Sequence, residues 1–338
     1  MVSYPYPLLT PPPFRWTQTA VTDPRVHEWI STLPEAVLHG TAEPNWNQYD
    51  VTILGVPLSR SSLSASAASE HPDAFRRAWK YFYPYDVEWD VDLTPLRVVD
   101  LGDVQQHATD ILLTHQWITD AMFAMRTHHS QLLPIAIGGD HSITAMLLRG
   151  WKKAHPEERI GILQLDTHFD LRSLVPHGPT NGTPIRFLLE KGLIRGEDVV
   201  NIGLHGFFNS KSLKEYADEQ QIGVITLHEV RKRGIEEVAQ TALQRLRQQV
   251  DTIYLTVDMD VLDLAFGPAA PAAAPGGMRS DELFAAVRLA GLDPKVKGMD
   301  IVCLDPLRDE GQKTVKTAAH VMLTFLSGVI SRKAVGSA

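Results

Sequence analysis

Apolar and β-branched residues recur along the chain in short, nearly continuous runs, separated by stretches with the three-to-four-residue spacing of an amphipathic helix. Eight runs predict strands, at 49–55, 96–102, 133–139, 160–166, 199–204, 222–227, 252–258 and 296–302. Most lack strict alternation, which marks strands covered on both faces. Helical spacing marks 111–125, 144–154, 235–250, 281–289 and 314–331. Strand and helix alternating in this way predict an α/β protein, a parallel sheet with helices on both sides, although a closed eight-stranded barrel fits the same count. Residues 1–47 are different, rich in proline and aromatics with Pro11, Pro12 and Pro13 in succession. They read as an irregular arm lying on the body or on a neighbouring subunit, because proline removes backbone donors. No Gly/Pro/Ser linker and no fixed-period repeat interrupts 48–338, which read as one domain.

In either architecture the chemistry belongs at the carboxyl ends of the strands. Three of those ends carry acids and histidines: Gly139-Asp140-His141-Ser142 after the third run, Asp166-Thr167-His168-Phe169-Asp170 after the fourth, and Asp258-Met259-Asp260 after the seventh. If the strands continue, a side-chain period of two sends Asp166, His168 and Asp170 to one side, and likewise Asp258 and Asp260. With His141, six side chains then converge. Four aspartates gathered without a cation repel one another, and the sequence places no comparable density of Lys or Arg beside them. A bound cation is the expected neutraliser. Six ligands exceed what one tetrahedral zinc takes and suit two divalent ions, and oxygen-rich sites with a few imidazoles favour Mn²⁺. Two such ions about 3.5 Å apart hold a bridging water and make hydroxide available near neutrality.

Composition narrows the partners. With 32 Lys+Arg against 40 Asp+Glu the formal charge is −8, which argues against a nucleic-acid groove or an anionic membrane surface. No apolar run reaches the roughly 18 residues of a membrane span, and the first residues lack the basic segment of a signal peptide. The single cysteine, Cys303, excludes an internal disulfide and a CxxC zinc site and suits a reducing cytoplasm.

The strings GGDHS (138–142), DTHFD (166–170) and DMDVLD (258–263) resemble the three signatures of the ureohydrolases, the family of arginase, agmatinase and formimidoylglutamase, in order and spacing. Thr167 stands where Ala is usual and Thr256 where Ser is. The resemblance implies an open three-layer α/β/α sandwich with a mostly parallel eight-stranded sheet, which removes the barrel. It implies two Mn²⁺ per subunit, one held by His141, Asp166, Asp170 and Asp258 and the other by Asp166, His168, Asp258 and Asp260, with Asp166 and Asp258 bridging. In such enzymes a metal-bridging hydroxide attacks the amidine carbon and Asp170 passes a proton to the departing amine, so that His141 and Asp170 count as catalytic. Trimers or hexamers are the assemblies the family suggests.

Three departures bear on the substrate. Cys303, in MDIVCLDP, falls where relatives that cut guanidinium groups carry an acid, and a neutral thiol cannot replace a carboxylate as a double acceptor. Asn181, in NGTP, falls where arginases have a proton-shuttling histidine. Arg172, in DTHFDLR, resembles the formimidoylglutamase branch, as does FFNS at 207–210, and an arginine there is suited to clamp a carboxylate. The expected substrate is therefore an acidic amidine, N-formimidoyl-L-glutamate, cleaved to L-glutamate and formamide in histidine degradation. The alternatives are a guanidino or amidine compound that releases urea, and a non-catalytic metal-binding protein. Of the remaining polar groups, His205 reaches substrate or bonds locally, His177 is solvated, and Arg76, in HPDAFRRAW, is structural. Residues 268–277, PAAPAAAPGG, form a pocket wall.

Overall fold

The computed structural model describes residues 8–336 except 17–21, 35–36, 38–41 and 43. All eight expected strands form: β1 (Val51–Val56), β2 (Val98–Val104), β3 (Leu133–Gly138), β4 (Ile160–Leu165), β5 (Val199–Leu204), β6 (Gly223–Thr226), β7 (Thr252–Asp258) and β8 (Val296–Val302). They pair in parallel throughout, in the order β2-β1-β3-β8-β7-β4-β5-β6. The edges β2 and β6 do not pair with each other, so the sheet is open and the barrel is excluded.

Two short pieces of the proline-rich arm extend the sheet to ten strands. Leu9–Thr10 runs antiparallel to β2 and Ser31–Thr32 runs parallel to it. The described part of the arm therefore lies on the body, with more regular pairing than its prolines suggest. Pairing of the first piece stops where Pro11, Pro12 and Pro13 run out of amide donors.

The main helices are α1 (His71–Ala78), α2 (Ile111–His128), α3 (Ser142–Ala154), α4 (Pro184–Glu190), α5 (Lys211–Glu219), α6 (Leu227–Arg233), α7 (Ile235–Gln249), α8 (Ser280–Leu292) and α9 (Lys313–Gly336). They divide between the two faces, because successive strand side chains do. Val51 and Ile53 of β1 join a core with α1, α6, α7, α8 and α9. Leu54 and Val56 join the other, with α2, α3, α4 and α5. The result is a three-layer α/β/α sandwich, and burial on both faces explains why the strands read as continuous apolar runs.

By length and composition alone the segment Glu310–Arg332 is apolar enough to cross a membrane, but 72% of its apolar window is buried inside the protein. It is a core helix, packed on α8 where Gly291 meets the Phe325 carbonyl and Gly328. Arg76 is likewise internal: from α1 its Nε and Nη1 reach Asp100 Oδ2 and Asp103 Oδ1, each at 2.7 Å, tying α1 to β2. Its role is structural, as expected.

The topology sets four adjacent strands, β3, β8, β7 and β4, at the middle of the sheet. Their carboxyl ends are where the acidic motifs come out.

Candidate metal centre

Each motif leaves its strand by a different local device. After β3 the chain turns at Gly139, where a Cβ would stand 1.9 Å from the carbonyl oxygen of Leu58, so only glycine fits. Asp140 then points away from the centre. Its carboxylate accepts from Ser61 Oγ at 2.8 Å and from the Ser142 amide at 3.0 Å, so it clamps the loop. His141 follows at the start of α3 and is fully buried.

Beyond β4 the chain leaves the extended course expected of it. The strand ends at Leu165, and Asp166 to Asp170 form an irregular loop with Asp170 at φ +55°. Loop curvature, not strand alternation, brings Asp166, His168 and Asp170 together. Asp258 closes β7, and a single 3-10 turn, Met259–Val261, carries Asp260 back, with the Asp260 amide donating to Asp258 Oδ1 at 2.9 Å.

The six side chains meet. His141 Nδ1 lies 2.7 Å from Asp170 Oδ2, 3.1 Å from Asp258 Oδ2 and 3.3 Å from Asp166 Oδ2. His168 Nδ1 lies 3.0 Å from Asp260 Oδ2 and 3.6 Å from Asp166 Oδ1. Ligand atoms of His141, Asp166 and Asp170 fall within 4.8 Å of one another, and so do those of Asp166, His168 and Asp260, so that Asp166 belongs to both groups. All are buried except His168, which is partly exposed.

Two features fit this donor set to cations. His141 Nδ1 is buried amid three carboxylates and yet makes no well-directed hydrogen bond. Without a cation, moreover, the cluster can relieve its repulsion only by binding protons, and the shifts of Asp170, Asp258 and His168 have that sense. Burial and then Asp166 push the Asp170 carboxyl up to about 7, and burial followed by Asp260 and Asp166 does the same for Asp258. Burial opposes a charge on His168, but Asp260 and Asp166 hold it up to about 12. Protons stand where divalent cations would. Carboxylate and imidazole donors of this kind suit Mn²⁺.

The expected substrate contacts surround this centre with differing freedom. Arg172 is exposed and, among the described residues, has no carboxylate within ion-pair distance. Its amide donates to Gly182 O at 3.0 Å. Asn181 is engaged in joining loops: its Oδ1 accepts from the Leu63 backbone N–H at 2.8 Å and its backbone N–H donates to Ser61 O at 3.2 Å. His205 bonds locally, Nδ1 to Gly203 O at 2.9 Å, while its buried Nε2 has no hydrogen-bond partner. The 268–277 loop comes against it, since a Cβ on Gly276 would lie 3.8 Å from His205 Cδ2. His177 is exposed. Cys303 is buried at φ +60°, and burial, then Asp258 and Asp260, raises its thiol well above the ordinary value.

Several contributors had no role assigned to them from the sequence. Gln164 Nε2 donates to Asp166 Oδ2 at 2.7 Å. Thr256 Oγ1 lies 2.8 Å from His141 Nε2 and donates to Asp300 Oδ1 at 2.6 Å. Asn209 clamps the Asp166–Asp170 loop, donating to Thr167 O at 2.8 Å and accepting from the Phe169 amide at 3.0 Å. Thr167, the departure from the usual Ala, donates from Oγ1 to Asp260 O at 2.8 Å and ties two motifs together. The signal was available: each of Gln164, Thr256 and Asp300 is a polar residue inside a run expected to be buried on both faces.

Residues 49–328 match the sequence profile of the Arginase family. The chain belongs to the arginase family. Formimidoylglutamase of Halalkalibacterium halodurans is 42% identical over 276 residues, 82% of this chain and 86% of that protein. The crystal structure of formimidoylglutamase from Bacillus subtilis superposes with a TM-score of 0.84 at 32% identity, covering 96% of this chain and 97% of the other. That of Trypanosoma cruzi formiminoglutamase with Mn²⁺ gives 0.81 at 25% identity, covering 92% and 99%. This arginase-family chain is a hydrolase of linear amidine C–N bonds, similar to formimidoylglutamases.

Proposed function

We propose that the protein hydrolyses N-formimidoyl-L-glutamate to L-glutamate and formamide at a centre of two Mn²⁺ ions. The observation that carries the substrate choice is Arg172, a guanidinium beside the acidic loop with no carboxylate partner of its own among the described residues. A substrate carboxylate is the counter-ion it lacks, and the planar fork suits bidentate binding. Cys303, in place of an acid, leaves the neighbourhood of Asp258 without the extra negative charge that a guanidinium group would need.

In this reading His141, Asp166, Asp170 and Asp258 hold one ion, and Asp166, His168, Asp258 and Asp260 the other. When bound, the ions supply activated water and stabilise the charge that develops at the amidine carbon. The chain's own part is positional and protonic. Asp166 and Asp258 fix the spacing of the two halves, Arg172 holds the far end of the substrate, and Asp170 delivers the proton on which the glutamate amine departs. His205 and Asn181 line the substrate side. One water is consumed, one C–N bond breaks, and formamide and the amine leave.

The same reading places the enzyme in the cytoplasm, where a single buried thiol stays reduced, as a homo-oligomeric trimer or hexamer whose 48–338 domain is catalytic and whose 1–47 arm is accessory. The test is product analysis on Mn²⁺-reconstituted protein. Formamide from formimidoylglutamate is the expected outcome; urea from a guanidino compound, with no turnover of formimidoylglutamate, would overturn the reading.

A further inference from the structure

Beneath the acidic cluster the sheet carries a row that does not belong in an apolar core. Thr256 on β7 is in register with Gln164 on β4 and with Asp300 on β8, so three polar residues stand side by side across three central strands. All are at most 1% exposed. Asp300 is the oddest of them. It is a fully buried carboxylate, and among the described residues no Lys or Arg pairs with it. Its oxygens take hydroxyl groups, Thr256 Oγ1–H on Oδ1 at 2.6 Å and Thr144 Oγ1–H on Oδ2 at 2.7 Å. An unpaired buried carboxylate costs several kcal/mol and is kept only where something else depends on it.

What depends on it is the direction of one hydrogen-bond chain. Thr256 has a single hydroxyl proton and donates it to Asp300 Oδ1; burial raises the Asp300 carboxyl, while His141 and the hydroxyls of Thr256 and Thr144 on its two oxygens oppose that rise and favour the accepting form. Thr256 Oγ1 is thereby left as an acceptor toward His141, at 2.8 Å from Nε2. The imidazole must donate there through Nε2–H. In the neutral ring that binds metal, its Nδ1, which faces Asp166, Asp170 and Asp258, is then the nitrogen with the lone pair.

We propose that Thr256 and Asp300 are positioning residues that hold His141 in the Nε2–H tautomer, with the Nδ1 lone pair aimed at a divalent cation. Asp300 acts at two removes, through Thr256, and Thr144 holds its second oxygen. Gln164, at the other end of the row, donates to Asp166 and serves the neighbouring ligand. The inference rests on the metal-centre reading above and adds to it the layer that fixes ring orientation, whose loss typically weakens metal binding by about 10- to 100-fold.

The test compares Thr256→Val, Thr256→Ser and Asp300→Asn with the wild type. Val keeps the β-branched shape but removes the hydroxyl, Ser keeps the hydroxyl, and Asn removes the charge at nearly constant size. The protein is titrated with Mn²⁺, bound metal is counted after buffer exchange, and electron paramagnetic resonance separates a coupled pair of ions from a single one. Wild type and Thr256→Ser are expected to bind two ions as a coupled pair. Thr256→Val and Asp300→Asn are expected to weaken one of the two by about 10- to 100-fold and to show the uncoupled signal at sub-saturating metal. Wild-type affinity in Thr256→Val, or equal weakening in Thr256→Ser and Thr256→Val, overturns the relay while leaving the metal centre intact. If Thr256→Val does not fold, wild-type affinity in Asp300→Asn overturns it. A wild type that binds no Mn²⁺ overturns the metal-centre reading and the relay with it.

Discussion

Arg172 lies across Gly182 so closely that a Cβ on the glycine would stand 2.8 Å from Arg172 Cδ and 3.3 Å from its Nε. The glycine of the Asn181-Gly182-Thr183 turn thus gives the arginine stem a surface to lie along, and the backbone bond from Arg172 to Gly182 O fixes the two loops side by side. If the guanidinium waits there for a substrate carboxylate, Arg172→Ala should raise KM for formimidoylglutamate by about 10- to 100-fold, the value of one charge-assisted pairing. A neutral amidine should be affected far less. Gly182→Ala should give a weaker version of the same selective loss by pushing the stem aside. Equal loss on acidic and neutral substrates, in steady-state kinetics, would make Arg172 a structural residue.

Asp166 contributes an oxygen to each half of the acidic cluster, and Asp258 approaches His141 while its other oxygen holds the turn to Asp260. Asp166→Ala and Asp258→Ala are therefore expected to abolish turnover and to drop bound Mn²⁺ below two per chain, by metal analysis on the same samples. Retained turnover in either variant would place the reaction elsewhere.

How legible was this in the sequence? The strands were, because burial on both faces leaves continuous apolar runs in β1, β3 and β4 that no loop imitates. The six converging side chains were legible as residue types at strand ends, but the reason offered for Asp166, His168 and Asp170 was not the one the structure uses: β4 stops at Leu165 and the loop curls. Sheet order was not legible. Nothing local in β8 says that it lies between β3 and β7, and so nothing local says that Cys303 and Asp300 neighbour His141 and Asp258. Side-chain direction was also hidden. Asp140 sits within the GGDHS motif and turns away, toward Ser61, a residue 79 positions earlier that no spacing connects to it.

The metal-free cluster should titrate with a definite sign. The Asp170 and Asp258 carboxyls are raised to about 7 from an ordinary 3.8, chiefly by burial, and His168 is raised to about 12 from 6.5 by its acidic neighbours against burial. For all three the folded state holds more protons than the unfolded chain between pH 5 and 8, so stability falls as pH rises through that window. Asp166 is shifted the other way, but its ordinary value of 3.8 puts its titration below the window. His71, His115 and His129, lowered to about 4 by burial, oppose this trend below pH 6.5, so chelator-treated protein should melt several degrees higher at pH 5.5 than at pH 8 with most of the fall above pH 6.5. With Mn²⁺ the order should reverse, because the ligands must lose their protons to bind metal and the gain from metal grows with pH. Thermal melts at both pH values, with and without Mn²⁺, check the crossing; parallel profiles would mean that protons and metal do not compete for these groups.

Cys303 combines two constraints. Its backbone sits at φ +60°, a region that costs a β-branched residue most, and its amide donates to Gly139 O at 2.9 Å, joining the end of β8 to the loop that carries His141. Cys303→Val adds a β-branch and one heavy atom at this buried, positive-φ position and should destabilise by about 1–3 kcal/mol, while Cys303→Gly should relax the backbone and cost only the lost packing. Denaturant melts separate the two. The thiol itself, buried and raised beside Asp258 and Asp260, holds its proton, and only the thiolate is reactive. Iodoacetamide at pH 8 should therefore leave the native protein unmodified and alkylate it stoichiometrically after unfolding. Rapid alkylation of the native protein would mean that the end of β8 opens to solvent.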